Sequence, residues 1–313
     1  MLQEHWAAYY RGGALVSCPT NPEPGYEGRV RQVWEAFFGS LPAGAAVLDI
    51  GTGNGPVALI AKTVADANSL DLRITGVDLA DINPHRDVPD GPSLFAGVAF
   101  HGGVSTEALP FSNADFVAVS GQYIVEYTNR EATLAEIARV LAPGGTVQLI
   151  LHHADSIVVQ NAVESLRHAA LVDRDEQVLN RAARYFELAA GGGPASETAR
   201  QALIGSGKRL EAAAEQSSNP ILLDFVLRSL TALLEHRSRL TPGDIATQIE
   251  RLRHEMDLWQ RRLEDLAAAA MTAEDMQAFA DAAEAAGFGG IDYQGLHQAG
   301  DMLVGWLFSA SKA

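Results

Sequence analysis

Apolar positions in the first half of the chain come in short runs separated by stretches of helical period. Runs over residues 46–50, 72–77, 98–101, 115–120 and 146–151 predict five β-strands. Between them, residues 57–65 and 129–141 predict helices. Ahead of the first strand, Val30, Val33, Trp34, Phe37 and Phe38 recur at helical spacing, so 27–40 reads as an amphipathic helix against the sheet. Residues 12–25, rich in Gly and Pro, and 81–91, rich in Pro, Asp and Asn, read as loops. Nearly continuous apolar strands alternating with helices imply a parallel sheet covered on both faces, an α/β fold.

The pattern changes after His153. Residues 155–270 carry almost no strand signal and much Ala, Leu, Glu and Arg, which predicts four or five helices. Breaks are expected near 191–194, 205–207, 217–220 and 241–243. Ile245, Ile249, Leu252, Met256, Trp259, Leu263 and Leu266 step alternately by four and three, a heptad seam with Asp244 in the positive first turn of its helix. The seam serves packing within a local helical bundle, or a homodimer through these helices, or both. Residues 275–286 return to an amphipathic helix ending at Gly287, and 291–296 and 302–309 predict two more strands joined by 298–301.

The first strand leads into the most specific chemistry. Residues 47–56 read Val-Leu-Asp-Ile-Gly-Thr-Gly-Asn-Gly-Pro, a strand, a loop with glycine at every second position, and a helix at once. That arrangement binds a nucleotide-like cofactor in open α/β sheets. The sixth position of a dinucleotide fingerprint would be glycine, and here it is Pro56. Asp49, just before the first glycine, would repel a pyrophosphate and suits a cationic or amine-bearing ligand. Asp78, at the carboxyl end of the second strand, suits both hydroxyls of a ribose.

Asp49, Gly51, Gly53, Gly55 and Asp78 together resemble class I S-adenosylmethionine-dependent methyltransferases. The resemblance continues at residues 107–111 (Glu-Ala-Leu-Pro-Phe), 120–127 (Ser-Gly-Gln-Tyr-Ile-Val-Glu-Tyr) and 135–145, where a helix runs into Pro-Gly-Gly. It covers about residues 27–153 and 272–311. It implies a seven-stranded, mostly parallel Rossmann-like sheet whose last strand inserts antiparallel, with a large all-α insertion between strands five and six. The expected organisation is an N-terminal lid segment over 1–26, a cofactor-binding domain over 27–153 and 272–313, and a helical insertion over 154–271. An insertion at the carboxyl edge of the sheet is suited to be a lid, a substrate wall or a dimerisation element.

The resemblance also assigns roles. The cofactor would be S-adenosylmethionine, released as S-adenosylhomocysteine. Gly51, Thr52, Gly53, Asn54 and Gly55 would take its amino-acid end, with Asp49 on the ammonium directly or through water. Asp78 would hold the ribose, Leu79 would flank the adenine, and Ser105, Thr106 and Glu107 would meet the adenine edge. Gly121, Gln122 and Tyr123 would line the methionine and sulfonium region.

Methyl transfer from a sulfonium needs alignment and exclusion of water, and a base only when the nucleophile arrives protonated. The candidates for that role are Glu126 and Tyr127 after strand four and His152 and His153 after strand five. Each has a plainer alternative: Glu126 as the cap of the helix that starts near Asn129, and one histidine turned to solvent or to the helical block. Two neighbouring histidines without carboxylates at ligand spacing make a poor metal site, so no metal is expected. Trp6, Tyr9 and Tyr10 would close over the substrate or anchor the N-terminus. His85 and His101 are given no role.

Composition narrows the partners. With 313 residues, 47% of them hydrophobic, the chain suffices for two domains or one enlarged domain. A net charge of −16 disfavours nucleic acid and anionic lipid. A single cysteine, Cys18, excludes an internal disulfide and reads as a small loop residue. There is neither a basic region followed by an apolar run at the N-terminus nor a long apolar stretch, so the expectation is a soluble cytoplasmic protein. These observations together predict methyl transfer to oxygen or nitrogen of a small molecule. The alternatives are methylation of a peptide or protein side chain, and a non-catalytic cofactor-binding scaffold. A nicotinamide-dependent oxidoreductase is disfavoured by Pro56 and Asp49.

Overall fold

The computed structural model describes residues 4–16, 26–189 and 191–313, so Cys18 and most of the 12–25 segment lie outside it. The chain divides into two compact units, Met1–Val159 with Ala268–Ala313, and Gln160–Ala267.

The first unit is built on seven strands: β1 (Ala46–Ile50), β2 (Arg73–Val77), β3 (Ala99–His101), β4 (Phe116–Gln122), β5 (Leu141–Leu151), β6 (Phe288–Gln298) and β7 (Met302–Lys312). Their order is β3-β2-β1-β4-β5-β7-β6. The first five are parallel, and β7 lies antiparallel to both β5 and β6. This is the doubly wound α/β sheet with an antiparallel last strand that the apolar pattern and the resemblance imply. Every residue of β1 is buried, which is why its sequence shows no polar alternation apart from Asp49.

Among the described residues six α-helices precede the insertion: α1 (Glu4–Arg11), α2 (Gly28–Gly39), α3 (Pro56–Asn68), α4 (Pro84–Asp87), α5 (Gly91–Leu94) and α6 (Arg130–Val140). Pro56, which breaks the dinucleotide fingerprint, is the first residue of α3, where a fixed φ helps and a missing N–H costs nothing. Asn129 caps α6 by accepting the Ala132 N–H at 3.1 Å. Trp34 and Phe38 of α2 are completely buried, each contributing on the order of 1.5–3 kcal/mol relative to exposure. On the opposite face Leu134 and Ile137 of α6 share a core with Leu48, Val119, Leu149 and Phe308 of the sheet.

The helices of the insertion are α7 (Ile157–Ala170), α8 (Val178–Ala189), α9 (Gly193–Gln216), α10 (Ile221–His236) and α11 (Pro242–Ala269). Within the second unit Ile245, Ile249, Leu252 and Met256 join Leu179, Phe186, Leu203, Val226 and Leu230 in one core, with Trp259 packed against it. The heptad seam is thus used inside the unit. The chain then returns to the sheet through α12 (Ala273–Ala285), which opens with a capping box between Thr272 and Asp275.

Several boundaries differ from the sequence pattern. β5 begins at Leu141 instead of 146, because Leu141 pairs with Phe116 and the Pro-Gly-Gly stretch is absorbed as an irregularity in the register. β6 extends beyond the expected strand at both ends, and β7 starts at Met302 as expected and runs on to Lys312. The 81–91 loop contains α4 and one end of α5, and the N-terminal aromatics sit on a helix. No break occurs at 205–207, since α9 runs through both glycines with Leu203, Ser206 and Leu210 buried. Where the insertion is attached, the Met271 N–H donates to the His152 carbonyl at 2.8 Å and the Ala154 N–H to the Met271 carbonyl at 3.0 Å. Among the described residues no helix is long and apolar enough to cross a membrane.

Candidate functional site

The glycine loop joins β1 to α3 at the carboxyl ends of the parallel strands. Asp49 is buried, its two oxygens accepting from the Thr52 hydroxyl at 2.6 Å and the Ser120 hydroxyl at 2.8 Å. Burial pushes this carboxyl up to about 7, against the pull of those two hydroxyls. Gly53 has φ +52, and a Cβ there would lie 2.6 Å from the Tyr10 ring. Only glycine meets both conditions.

Asp78 follows β2. One oxygen accepts the Gly53 N–H at 2.8 Å and the other the Ala80 N–H at 2.8 Å. Burial pushes its carboxyl up to about 6, while the two backbone N–H groups pull it down. Two buried carboxyls therefore bracket one glycine loop. Beside Asp78, Leu79 is 43% exposed, an unusual setting for a large apolar side chain in this chain. The three residues expected at the adenine edge are already engaged. Ser105 accepts the Glu107 N–H at 3.2 Å, Thr106 bonds the Thr133 hydroxyl at 3.2 Å, and Glu107 accepts the Asn129 N–H at 2.9 Å. Glu107 and the Asn129 side chain hold the start of α6, the capping role considered for Glu126.

At the end of β4 a Cβ on Gly121 would lie 2.8 Å from Ile50, so this glycine serves close packing. The Gln122 carbonyl accepts the Trp34 indole N–H at 2.6 Å, while its amide NH₂ is buried without a partner. Tyr123 takes φ +56, donates its hydroxyl to the Val304 carbonyl at 2.9 Å, and stacks flat on His152 at 4.1 Å.

Glu126 lies in a 3₁₀ turn, Val125–Tyr127. One oxygen accepts the His152 backbone N–H at 2.7 Å, and the other, Oε2, is buried without a partner. Burial pushes the carboxyl up to about 7, against backbone hydrogen bonds and the Arg130 charge. His152 is 0% exposed, with no partner on either ring nitrogen. Burial pushes it down to about 3, so its ring is neutral. Tyr127 meets His152 edge-on at 5.8 Å. His153 goes elsewhere: it stacks on Trp306 at 4.2 Å, and its Nδ1 accepts the Asp155 N–H at 3.0 Å. Among the described residues no cluster of three or more His, Cys, Asp or Glu is placed to hold a metal.

Residues 47–145 match a family model described as "Methyltransferase domain". This stretch is therefore similar to a methyltransferase domain, in keeping with the resemblance of its motifs to the class I enzymes. The cofactor of that class is S-adenosylmethionine. No curated protein matches the chain. Among solved structures, the YcgJ protein of Bacillus subtilis is 24% identical, with 44% of this chain and 57% of that one covered and a TM-score of 0.33. A 1,6-didemethyltoxoflavin-N1-methyltransferase of Burkholderia thailandensis is 13% identical over 90% of this chain and 76% of its own, with a TM-score of 0.43. The CurJ carbon methyltransferase is 12% identical over 91% and 53%, with a TM-score of 0.46. The chain spans about half the length of the first structures it matches, 57% and 44%.

The N-terminal helix is docked onto the glycine loop. The Asn54 amide donates to the Tyr10 and Ala14 carbonyls, both at 2.8 Å. Tyr10 packs with Ala7, Ala80 and Ile82. Tyr9 donates its hydroxyl to the Val16 carbonyl at 2.6 Å, so it holds the segment itself. Trp6 stacks on Tyr10 at 6.1 Å and meets Tyr127 edge-on at 6.2 Å. The N-terminal aromatics thus tie down their own segment and lie over the glycine loop.

The residues present fit the cofactor of the class. Buried carboxyls raised by desolvation favour ligands bringing an ammonium or hydroxyl donors. The buried amide NH₂ of Gln122 is a donor fixed in direction by Trp34, and exposed Leu79 offers an apolar edge to a planar base. Ser120, Trp34 and the Asn54 clamp were not singled out as partners in the sequence. A serine inside an apolar strand was the available signal for Ser120, whereas Trp34 looked like any apolar position of a helix face.

Proposed function

We propose that the protein is an S-adenosylmethionine-dependent methyltransferase acting on an oxygen or nitrogen of a small-molecule acceptor. The observation that carries this reading is the pair of buried carboxyls, Asp49 and Asp78, on either side of the glycine loop. Asp49 would take the ammonium of the cofactor and Asp78 its ribose hydroxyls, with Leu79 against the adenine and the Gln122 amide toward the carboxylate. The cofactor, when bound, supplies a methyl group already activated by positive sulfur. What this chain's residues must do is hold the two partners in line and keep water away. A small acceptor is favoured over a protein side chain because the unpaired carboxyl oxygen of Glu126 and the unpaired ring nitrogens of His152, near the β4 and β5 ends, are buried. The net charge of −16 argues against a polyanionic acceptor.

Calorimetry with S-adenosylmethionine and, separately, NADH tests the reading. Micromolar binding of the sulfonium alone is expected. Binding of NADH alone, or of neither, overturns it. Binding of the sulfonium without methyl transfer to any acceptor in a labelled-methyl screen would favour the scaffold alternative.

A further inference from the structure

Glu126 Oε2 and both ring nitrogens of His152 are buried polar atoms without partners, in residues joined by the bond from the His152 N–H to Glu126 Oε1. Native interiors pair such atoms, and the exceptions mark water or ligand positions. Desolvating them without a partner is unfavourable. Around them stand aromatic rings: Tyr123 flat against the imidazole at 4.1 Å, Tyr127 edge-on at 5.8 Å, and Trp6 beyond Tyr127 at 6.2 Å. Trp6 in turn stacks on Tyr10, which lies over Gly53 of the cofactor loop. An aromatic wall therefore runs from the glycine loop to the unpaired carboxyl and imidazole.

We propose that Glu126 and His152 form the acceptor subsite, and that it takes a small uncharged aromatic ring bearing one N–H or O–H donor beside a hydrogen-bond acceptor. This deepens the proposed methyl transfer and rests on it. Rings suit rings: the wall supplies edge and face contacts to a planar molecule. The Glu126 carboxylate accepts the donor of the ring. A neutral imidazole carries one N–H and one bare nitrogen, so it matches a neighbouring carbonyl or ring nitrogen. Glu126 with Asp49 and Asp78 makes the floor acidic, which disfavours an anionic acceptor. In the transfer the acceptor's N–H or O–H gives its proton to Oε2 of Glu126. The electron pair left on nitrogen or oxygen forms the bond to the methyl carbon, and the carbon–sulfur pair returns to sulfur, which departs as a neutral thioether.

Two near-isosteric variants separate this role from a structural one. Glu126→Gln keeps the oxygen that accepts the His152 N–H. His152→Phe removes two unpaired polar atoms, so its melting temperature is expected to equal or exceed wild type, whereas a structural histidine would destabilise on replacement. The probe is 2-quinolone, whose N–H stands beside its carbonyl, with 1-naphthoate as anionic control, titrated by calorimetry with S-adenosylhomocysteine present and assayed with radiolabelled methyl donor. Binding of the probe and not of naphthoate is expected. A tenfold or greater loss of probe affinity is expected in His152→Phe, and a hundredfold loss of transfer in Glu126→Gln, with donor binding within threefold of wild type. Wild-type transfer should rise with pH through the neutral range, and Glu126→Gln should lose that rise. Donor binding with no probe binding, or with probe binding and transfer unchanged in both variants, overturns the subsite. Failure of wild type to bind the donor overturns the methyltransferase reading itself.

Discussion

The carboxylate of Asp78 accepts the backbone N–H of Gly53 at 2.8 Å, so the acid at the end of β2 and the glycine loop after β1 are one unit. Asp78→Asn should therefore do two things at once. An amide keeps one accepting oxygen and turns an NH₂ toward the N–H of Gly53 or Ala80, leaving buried donors facing each other. The expected loss of stability is about 1–3 kcal/mol. Donor affinity should fall roughly tenfold or more, since about 1.4 kcal/mol corresponds to a factor of ten. Thermal unfolding and calorimetry on the same samples read both, and unchanged affinity would detach Asp78 from the ribose.

Gly53→Ala should be more damaging than its size suggests. The backbone there has φ +52, and the new methyl would sit 2.6 Å from the Tyr10 ring. Strain of about 1–3 kcal/mol is expected, together with displacement of the N-terminal helix. Gly44→Ala is the control: φ is +75 and a Cβ meets nothing within 4 Å, so only the backbone strain applies. Donor binding should survive in Gly44→Ala and weaken sharply in Gly53→Ala.

The raised carboxyls set an unusual pH dependence. Asp49 at about 7, Asp78 at about 6 and Glu126 at about 7 all lie above their unfolded values of 3.8, 3.8 and 4.5. Between those values the folded state holds more protons than the unfolded state, so ligand-free stability falls as pH rises toward 7 and is flat above. Melting temperature at constant ionic strength should therefore decrease from about pH 5 to about pH 7. Asp49→Asn should make the slope shallower. An ammonium bound at Asp49 favours its ionised form, so donor binding should release protons near neutrality. Calorimetry in buffers of different ionisation heat measures that release.

The seam on α11 should report on the helical unit. Ile249 and Met256 are buried in that unit's own core. Truncating either to Ala should cost about 2–5 kcal/mol. If the seam instead held two chains together in solution, Ile249→Ala would shift the mass in size-exclusion chromatography with light scattering before it lowered the melting temperature.

How far the sequence reached depended on whether a feature was local. β1 could be placed to the residue because each of its five positions is buried and its one acid stands out. The glycine loop and Asp78 were legible for the same reason, as short-range patterns with one chemical meaning. The antiparallel insertion of the last strand came from the resemblance and not from periodicity, and the full strand order is seen only in the structure. Long-range polar partners were not legible: Ser120 reaching Asp49, Trp34 reaching Gln122, and Asn54 holding the turn after α1 link segments far apart in the chain. Nor does spacing show that Tyr123 spends its hydroxyl on Val304, or that His153 stacks on Trp306 while its neighbour is sealed inside. Glycine was the least reliable signal. At 143–145 it marks an irregularity inside β5 instead of the strand's start, and at 205–207 the helix continues with Leu203, Ser206 and Leu210 buried.

The two backbone bonds between Met271 and the 152–154 stretch have a further consequence. The chain leaves the sheet after β5 and re-enters before α12 through one doorway, its two jambs stitched like neighbouring strands, about 4.8 Å apart. Nothing in the pairing of β5 with β7, or of β7 with β6, depends on how long the excursion between those jambs is. Lengthening such an excursion is thermodynamically mild, about 0.6 kcal/mol for each doubling of its length. Residues 160–267 are in that sense a cartridge: a stretch whose length can change while the strand pairing at its two points of attachment stays as it is.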